Sequence, residues 1–354
     1  MAEMQYRPLG NSGLRVSPIC LGVLQFGAAA TPADAAAMVD SARAAGVNFL
    51  DVANVYALGE AERALGPLIA RDRDNWVLAT KAGIAMGPGP HRGGLSRKHL
   101  FEALDDSLRR LGTDYVDIFY LHVPDEETPL EETLRAVDDI IRSGKARYFG
   151  ISNYRAFEIA DIALRCDAMG IAWPVVCQML YNLVDREAER EIIPACHHFG
   201  IAVAPYSPLA RGVLTGKYTV NAPLPAGSRA ARKDRRLIEA ELRDESILFA
   251  AAMTERAKAR GITPSQFAIA WMLRNRLLTS VVTGPRTLAQ WEDNLSAWTI
   301  SLTDEDEAFV NASVPPGWGS TPQFIDPLWP PQGREAVAGE RIRPAKAQPP
   351  GPKA

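Results

Sequence analysis

The sequence predicts an α/β fold in which eight parallel strands, joined by helices, close into a (β/α)8 TIM barrel. Short apolar segments alternate with helical patterns along most of the 354 residues, and this alternation is typical of a parallel sheet. Polar side chains follow several of the predicted strands, as they do at the carboxyl ends of barrel strands. The alternative, an open doubly wound sheet, requires a Gly-x-Gly-x-x-Gly turn after an early strand, and none follows one here.

An N-terminal β-hairpin is predicted before the barrel. Between Tyr6 and Val16, the segment Leu9-Gly10-Asn11-Ser12-Gly13-Leu14 supplies turn residues between two short extended stretches. The barrel strands are predicted as short apolar segments that suit a buried sheet. They are Ile19–Gly22, Val47–Asp51, Trp76–Lys81, Ile118–His122, Tyr148–Ser152, Val175–Met179, Ala202–Tyr206 and Ser280–Thr283.

Helical patterns lie between these strands, and several have clear ends. Thr31-Pro32 and Thr263-Pro264 place a capping residue before proline, which is typical of a helix start. Glycines follow many of the predicted helix ends. The predicted helices are Pro32–Ala45, Glu60–Ala70, Arg97–Leu111, Leu130–Ser143, Arg155–Met169, Glu187–Phe199, Ser246–Gly261, Pro264–Arg276 and Thr303–Ser313.

The chain is expected to form one barrel domain over residues 1–313, followed by two segments of different character. Residues 314–339 contain Trp318, Phe324 and Trp329 and are predicted to pack, either over the barrel mouth or against an outer helix. Residues 340–354 are rich in Pro, Ala and Lys and have little to bury, so they are predicted to be disordered.

A long excursion over residues 221–244 interrupts the alternation after the seventh strand. It carries a basic cluster, which we interpret as a solvated face, with a phosphate site as the alternative. The cluster consists of Arg229, Arg232, Lys233, Arg235 and Arg236.

Charge and composition narrow the possible partners. The net charge is −3, from 39 basic and 42 acidic side chains, which argues against a nucleic acid or an anionic membrane surface. The first residues show no apolar secretion segment, and no uncharged apolar run is long enough to cross a bilayer. We therefore expect a cytoplasmic protein, and the oligomeric state is left open.

The cysteines do not indicate a disulfide framework or a metal centre. Cys20, Cys166, Cys177 and Cys196 have no paired spacing, so reduced and packed thiols are expected. The run Cys196-His197-His198 lies in a predicted helix, where adjacent side chains point in different directions, so no metal site is predicted.

Four polar residues near the ends of successive strands are candidates for catalysis. Asp51, Lys81 and His122 end predicted strands, and Tyr56 follows Asp51 by five residues. Taken singly, Lys81 is explained as a surface lysine that closes a strand, and His122 is explained as a core histidine with its hydrogen bonds satisfied. A barrel brings the four to one mouth, where they would form a proton-transfer site. Lys81 is then expected to lower the pKa of Tyr56, with Asp51 orienting Lys81 and His122 donating to a substrate oxygen.

A hydrolase is one alternative, because Asp51 and His122 invite comparison with the Asp–His pair of a serine hydrolase. The sequence contains no Gly-x-Ser-x-Gly elbow, which disfavours serine acyl transfer.

From Tyr6 to Leu302 the chain resembles the aldo-keto reductases. The segment Gly46–Tyr56 is similar to the family's signature around its catalytic Asp and Tyr, while Ala79-Thr80-Lys81 and Tyr120-Leu121-His122 match the segments that carry its Lys and His. The resemblance implies reversible hydride transfer between a nicotinamide cofactor and an aldehyde or ketone, with Tyr56 as the general acid/base. Because His122 is retained, it implies carbonyl reduction rather than reduction of a carbon-carbon double bond.

The resemblance also implies a cofactor site spread over four segments. Ser152, Asn153 and Gln178 would bind the nicotinamide carboxamide, and Tyr206 would stack on the ring. The pyrophosphate and adenosine regions would be held by Ser207, Pro208, Leu209, Gly212, Leu214, Gly216 and Lys217, and by Gly284, Arg286, Gln290 and Asn294. Because a guanidinium suits a 2′-phosphate, Arg286 favours NADP(H), with NAD(H) still possible.

Two departures and one rival function accompany the resemblance. The family commonly has Thr and Gly where this chain has Val52 and Ala57, and we expect a local adjustment of the loop there.

The family resemblance also includes the potassium-channel β subunits. A cofactor-sensing regulatory subunit is therefore the alternative function, because fold alone does not decide activity.

Overall fold

The computed structural model describes residues 3–327. The predictions for Trp329, for the end of the packed extension and for residues 340–354 lie outside the described residues.

A parallel sheet forms the centre of the described structure. It consists of β3 (Ile19–Gly22), β4 (Phe49–Asp51), β5 (Val77–Ala82), β6 (Val116–Leu121), β7 (Ala146–Ser152), β8 (Val176–Gln178), β9 (Ala202–Val203) and β10 (Val281–Thr283). The eight strands form one curled sheet in the order β10-β3-β4-β5-β6-β7-β8-β9, with parallel pairing throughout. The prediction of eight parallel strands is therefore confirmed.

The two outer strands of this sheet also approach each other. The amide of Thr279 donates to the carbonyl of Val203 at 2.8 Å, and the amide of Val282 donates to the carbonyl of Pro205 at 3.0 Å. The predicted strand Ala202–Tyr206 is shortened to Ala202–Val203. Pro205 explains part of this difference, because a proline has no amide hydrogen to donate to a strand ladder.

The predicted hairpin is present at the amino end of the strands. Strands β1 (Arg7–Pro8) and β2 (Arg15–Val16) pair antiparallel. Leu9 and Val16 are fully buried and belong to the apolar cluster inside the sheet. The turn approaches the sheet closely, since a Cβ on Gly10 would lie 2.5 Å from the carbonyl oxygen of Val175. The hairpin thus packs against the end of the sheet opposite to the predicted site.

Ten helices surround the sheet in the described part of the chain. They are α1 (Pro32–Ala44), α2 (Glu60–Ile69), α3 (Arg97–Leu111), α4 (Leu130–Arg142), α5 (Ala156–Met169), α6 (Ile192–His198), α7 (Asp244–Ala259), α8 (Pro264–Arg274), α9 (Leu288–Ser296) and α10 (Asp304–Ser313). The hydroxyls of Thr31 and Thr263 accept hydrogen bonds from the amides of Asp34 and Gln266, so both predicted helix starts are capped as expected.

Two helices differ from the sequence predictions. The predicted helix Glu187–Phe199 is broken into a single turn at Glu187–Glu189 and helix α6. Pro194 lies in the first turn of α6, where its ring excludes a helix that continues back towards residue 190. Helix α9 was not predicted, although Leu288, Trp291 and Leu295 recur at helical spacing and pack against the core.

Alternation along the strands decides which side chains point inside the sheet. Phe49, Val77, Ala79, Ile118, Tyr120, Val176, Ala202 and Ala204 form an inner apolar cluster, whereas a second cluster lies between the sheet and the helices. Because strand side chains alternate with a period of two, the next inward-pointing position on each strand lies two residues further on. These positions are Asp51, Lys81, His122, Gln178 and Tyr206.

The described part of the C-terminal extension, residues 314–327, packs against neighbouring loops. The Trp318 ring lies 5.2 Å from the Arg190 guanidinium, and the Phe324 ring lies 4.0 Å from that of Arg243. Gly319 forms an isolated bridge with Asp185. In the described residues these aromatics anchor the segment and do not line the central cavity.

The described residues contain no helix long and apolar enough to cross a membrane. Within residues 3–327, no three His, Cys, Asp or Glu side chains are grouped so that they could hold a metal ion. All four cysteines are buried free thiols.

Candidate active site

A buried lysine forms the centre of the polar cluster at the carboxyl ends of the strands. The Lys81 side chain is fully buried, and its ammonium donates to Asp51 Oδ2 at 2.6 Å, to the Val52 carbonyl at 2.9 Å and to the Tyr56 hydroxyl at 3.3 Å. Burial acts to lower the pKa of Lys81, but Asp51 and Tyr56 outweigh it and raise that pKa above its usual value. Lys81 therefore stays a cation with all three protons engaged.

The Tyr56 hydroxyl lies on the cavity side of Lys81. Burial raises the pKa of Tyr56 above its ordinary value, and the Lys81 cation opposes this without overcoming it. The expected lowering effect of Lys81 on this pKa is present, but the net pKa is raised, because a sequence shows the neighbouring charge and not the burial. Tyr56 is consequently a protonated phenol at neutral pH, with a cation placed to stabilise its phenolate.

His122 faces Tyr56 across the cavity wall. The two rings meet edge to face with centroids 6.0 Å apart. Burial, followed by the Lys81 charge, lowers the pKa of His122 to about 3. The imidazole is therefore neutral at physiological pH. Its buried Nδ1 has no hydrogen-bond partner among residues 3–327, and the side chain lines the cavity, so a neutral ring can present an N–H to a ligand.

Amide side chains connect this cluster to the neighbouring strands. Gln178 Nε2 donates to Asp51 Oδ1 at 2.9 Å, so both oxygens of that carboxylate are bound. The Tyr206 hydroxyl donates to Asn153 Oδ1 at 2.8 Å, while Asn153 Nδ2 donates to the His122 carbonyl at 2.9 Å. These bonds fix the wall of the cavity from β4 across to the segment after β9.

A second buried ion pair supports the cluster from behind. The fully buried Glu62 in α2 accepts hydrogen bonds from the Thr80 hydroxyl at 2.5 Å and from Arg110 Nε at 2.6 Å. Thr80 precedes Lys81 in β5, and Arg110 belongs to α3. The pair therefore joins two helices to the strand that carries the central lysine.

The cluster opens into a cavity of about 530 Å³, which is in the usual range for a ligand site. Lys81 lies behind its wall, while Leu214 packs in the core and Gly216 ends a turn against Thr254. The other predicted site residues line the cavity: Asp51, Tyr56, His122, Ser152, Asn153, Gln178, Tyr206, Ser207, Pro208, Leu209, Gly212, Lys217, Gly284, Arg286, Gln290 and Asn294.

Several cations lie close to one another in the cavity wall. Burial lowers the pKa of Lys217, and the charges of Arg229, Arg286 and Arg232 lower it further. Lys217 also lies close to its own loop, since a Cβ on Gly212 would be 2.7 Å from the lysine nitrogen. Like charges repel, so this part of the cavity is suited to a ligand with several negative charges.

Several residues of the cavity wall were not predicted as site residues. Arg229 and Arg236 line it with side chains 21% and 23% exposed, so the interpretation of the basic cluster as a solvated face was wrong for these two, whereas Arg232 lines the cavity and is also exposed. Arg235 is 88% exposed and fits that interpretation. Arg211 is a further unpredicted cation in the wall.

The substrate end of the cavity is apolar. Leu24, Ile84 and Val123 line it beside Tyr56 and His122. These residues lie in the loops that follow β3, β5 and β6. A small carbonyl compound could therefore place its oxygen between the phenol and the imidazole while its carbon chain contacts these loops.

Comparisons with known proteins agree with this geometry. The model of the Aldo/keto reductase family matches residues 18–314. A probable voltage-gated potassium channel subunit beta from Arabidopsis thaliana is 39% identical over 300 residues, which cover 83% of this chain and 91% of that protein. The L-glyceraldehyde 3-phosphate reductase of Escherichia coli (strain K12) is 36% identical over 310 residues, covering 83% and 88%. The uncharacterized oxidoreductase YrpG of Bacillus subtilis (strain 168) is 34% identical over 332 residues, covering 90% and 99%.

Proposed function

The chain belongs to the aldo/keto reductase family, and we propose that it is an NADP(H)-dependent oxidoreductase that interconverts an aldehyde or ketone with its alcohol. The observation that carries this proposal is the hydrogen bond of 3.3 Å between the buried Lys81 ammonium and the Tyr56 hydroxyl at the cavity wall. This pair supplies a proton at neutral pH and stabilises the anion that remains.

The cavity fits a phosphorylated dinucleotide. The charges of Arg229, Arg286 and Arg232 act on Lys217, and a pyrophosphate with a 2′-phosphate would neutralise these cations. Helix α9 begins directly after Thr287, so its amino end adds a favourable dipole. These groups support NADP(H) as the preferred cofactor, and NAD(H) remains the weaker alternative because it lacks the 2′-phosphate.

The nicotinamide end would be held by polar groups already fixed in the wall. Ser152, Asn153 and Gln178 offer hydrogen bonds to the carboxamide, and the Tyr206 ring offers a flat face. The bound cofactor supplies the hydride that reaches the carbonyl carbon. The protein's own contribution is to orient the substrate, exclude water and provide the proton.

In the direction of reduction, Tyr56 donates its hydroxyl proton to the substrate oxygen. The Tyr56 phenolate then lies beside the Lys81 ammonium, which Asp51 keeps in place, and it regains a proton from solvent. Neutral His122 donates a hydrogen bond to the same substrate oxygen, where charge develops. In the direction of oxidation, the Tyr56 phenolate accepts the proton of the alcohol.

We extend the proposal to the fold itself, in which the eight strands close as a barrel. The hydrogen bonds from Thr279 and Val282 to Val203 and Pro205 support closure between β10 and the segment of β9. A closed barrel would keep Asp51, Lys81 and His122 at one mouth.

The decisive test replaces Tyr56 by phenylalanine. We expect Tyr56→Phe to lower kcat about 10²- to 10⁴-fold on the best carbonyl substrate, while the Kd for NADPH is unchanged. A panel of aldehydes, ketones, sugars and alcohols, assayed with both nucleotides by reduced-cofactor absorbance, identifies that substrate. Tyr6→Phe is the matched control, because it removes a hydroxyl that bonds the Gly46 carbonyl outside the cavity. Undiminished turnover by Tyr56→Phe would refute the assigned role.

A second candidate function is a cofactor-sensing regulatory subunit. It is favoured by the 39% identity to the proteins named probable voltage-gated potassium channel subunit beta from Arabidopsis thaliana and Oryza sativa subsp. japonica. The two candidates differ in what happens after the nucleotide binds. Sustained multiple turnovers by the isolated chain favour the enzyme, whereas tight binding with a single slow turnover favours the regulatory subunit.

A further inference from the structure

We propose that the C-terminal extension retains the bound nucleotide by fixing part of the cavity wall. Phe324 and Asp326, which we call the clamp, contact the excursion over residues 221–244, and release of the nucleotide requires these contacts to open. The inference rests on the proposed function and adds to it how the cofactor is retained. Within the described part of the chain, neither clamp residue lines the cavity, so both are positioning residues that act through the excursion.

The excursion contributes several side chains to the cavity wall. Those that line the cavity are Gly227, Ser228, Arg229, Arg232 and Arg236. Hydrogen bonds within its main chain are local, since the amides of Arg232 and Asp234 donate to the carbonyls of Ser228 and Arg229 at 3.1 and 3.0 Å. A segment held by local hydrogen bonds opens more easily than a strand inside a sheet. The excursion is therefore suited to move when a nucleotide enters or leaves the cavity.

Asp326 joins the extension to a side chain of the cavity wall. Arg236 Nη1 donates to Asp326 Oδ1 at 2.8 Å, and Arg236 Nη2 donates to the other carboxylate oxygen. The two side chains are only 23% and 10% exposed. Paired hydrogen bonds between a guanidinium and a carboxylate are among the stronger polar contacts in proteins. Because Arg236 itself lines the cavity, this contact ties the extension directly to the wall.

Phe324 makes a second contact with the same part of the excursion. The centre of its ring lies 4.0 Å from the Arg243 guanidinium, which is close for a cation over an aromatic ring. Arg236 and Arg243 flank a turn of π-helix at Leu237–Glu241. Turns of this kind are rare and often occur at functional sites. The clamp therefore holds the π-helical turn at both of its ends.

The segment that precedes the clamp is fixed to the rest of the fold. The Ser320 amide donates to the Val184 carbonyl at 2.9 Å, and the Thr321 hydroxyl donates to Glu245 Oε2 at 2.9 Å. Val184 follows β8, and Glu245 lies in the first turn of α7. The clamp can consequently release the excursion while the rest of the described extension stays anchored.

Neutralisation of Arg236 is the alternative role for Asp326. It would leave the contact of uncharged Phe324 with Arg243 unexplained. The two roles also predict opposite effects of removing the carboxylate. Loss of a clamp speeds the release of the nucleotide, whereas a guanidinium freed from its partner would attract phosphate and slow that release.

Release of NADPH from an Asp326→Asn variant tests the proposal. The variant keeps one acceptor and loses the charge, so we expect koff to rise about tenfold. Stopped-flow fluorescence of NADPH, with excess NADP⁺ as the competitor, measures this rate. Phe324→Leu should raise koff about threefold, because it removes the aromatic face and leaves the ion pair in place. Asp304→Asn is the matched control, since it removes a 93% exposed carboxylate from the ion pair with Arg274 and should leave koff unchanged.

A double-mutant cycle shows whether Asp326 acts through Arg236. In an Arg236→Gln background, adding Asp326→Asn should raise koff less than about twofold further, because the contact is already lost. A full tenfold effect in that background would overturn the proposal. An unchanged koff in Asp326→Asn alone would also overturn it, and so would slower release from that variant than from the native protein.

Amide hydrogen exchange of the nucleotide-free protein tests the clamp without bound cofactor or turnover. Residues 222–236 should exchange about tenfold faster in Asp326→Asn than in the native protein, while β6 exchanges at the native rate. Equal exchange of residues 222–236 in the two proteins would overturn the proposal, even where koff changes. If exchange is faster in the variant but the native protein binds neither NADPH nor NADH, the proposed function fails while the clamp on the excursion stands.

Discussion

At the scale of single residues, the site combines groups whose pKa values are separated by burial. Lys81 is held as a cation by Asp51, whereas His122 is kept neutral by the same desolvation and by the Lys81 charge. A buried ion pair contributes little net stability when its desolvation is included. The Lys81–Asp51 pair is therefore better explained by the proton chemistry that we propose for Tyr56 than by folding.

His122 makes the stability of the protein depend on pH in a predictable direction. Its pKa in the folded protein is lowered to about 3, compared with about 6.5 in an unfolded chain. Folding therefore favours the neutral ring. The contribution of His122 to the free energy of unfolding is fully present above pH 6.5. It is lost as the pH falls towards 3, at up to about 1.4 kcal/mol per pH unit.

We expect His122→Gln to flatten this dependence. The free energy of unfolding, measured by urea denaturation between about pH 6.5 and 4.5, should fall less steeply in the variant than in the native protein. His197→Gln serves as the control, because His197 is exposed on α6 and should leave the slope unchanged. An identical pH slope in His122→Gln and the native protein would show that His122 is not the buried neutral group described above.

At the scale of elements, the turn Tyr56–Gly59 shows how the chain places its phenol. Ala57 and Leu58 have φ values of 48° and 53°, and Gly59 has a φ of 95°, so a left-handed turn connects Tyr56 to α2. A left-handed residue other than glycine costs roughly 1–2 kcal/mol. Ala57 occupies the position at which related reductases commonly carry glycine, so the expected local adjustment takes the form of strain.

Ala57→Gly should consequently stabilise the protein. The relief of strain exceeds the added entropy of the unfolded chain, and we expect a net gain of about 0.5–1 kcal/mol in thermal or urea unfolding. Ala64→Gly within α2 is the opposite control and should cost about 1 kcal/mol, because glycine disfavours a helix interior. A loss of stability in Ala57→Gly would mean that the alanine methyl group makes a packing contact worth more than the strain.

The elements also show what can be predicted from the sequence. Asp51 and Lys81 follow inward-pointing apolar residues by steps of two, so strand alternation already places them inside the sheet. The raised pKa of Tyr56 was not predictable, because burial depends on residues distant in sequence. Likewise, Arg229 and Arg235 look equivalent in the sequence, and only the folded excursion leaves Arg229 21% exposed in the cavity wall and Arg235 88% exposed.

At the scale of the whole molecule, charge is distributed unevenly. The chain has a net charge of −3, yet its cavity is lined by Arg211, Lys217, Arg229, Arg232, Arg236 and Arg286 against the two acids Asp51 and Asp293. A concave surface of one sign concentrates ligands of the opposite sign and speeds their association. An acidic protein can therefore bind a polyanionic cofactor without attracting polyanions over its whole surface.

This distribution predicts a difference in salt dependence between the two nicotinamide cofactors. The Debye length falls from about 10 Å at 0.1 M salt to about 3 Å at 1 M. Over that range, the Kd for NADPH should rise about fivefold more than the Kd for NADH, since screening removes roughly 1 kcal/mol of attraction for the extra phosphate.

Arg286→Gln should reduce both the preference for NADPH and the difference in salt slope between the two cofactors. Arg235→Gln, which removes an exposed cation, should change neither quantity. Fluorescence titration of the reduced cofactors measures both quantities. Equal salt slopes for NADPH and NADH in the native protein would show that the cations of the cavity wall bind the pyrophosphate alone and that the 2′-phosphate is not recognised.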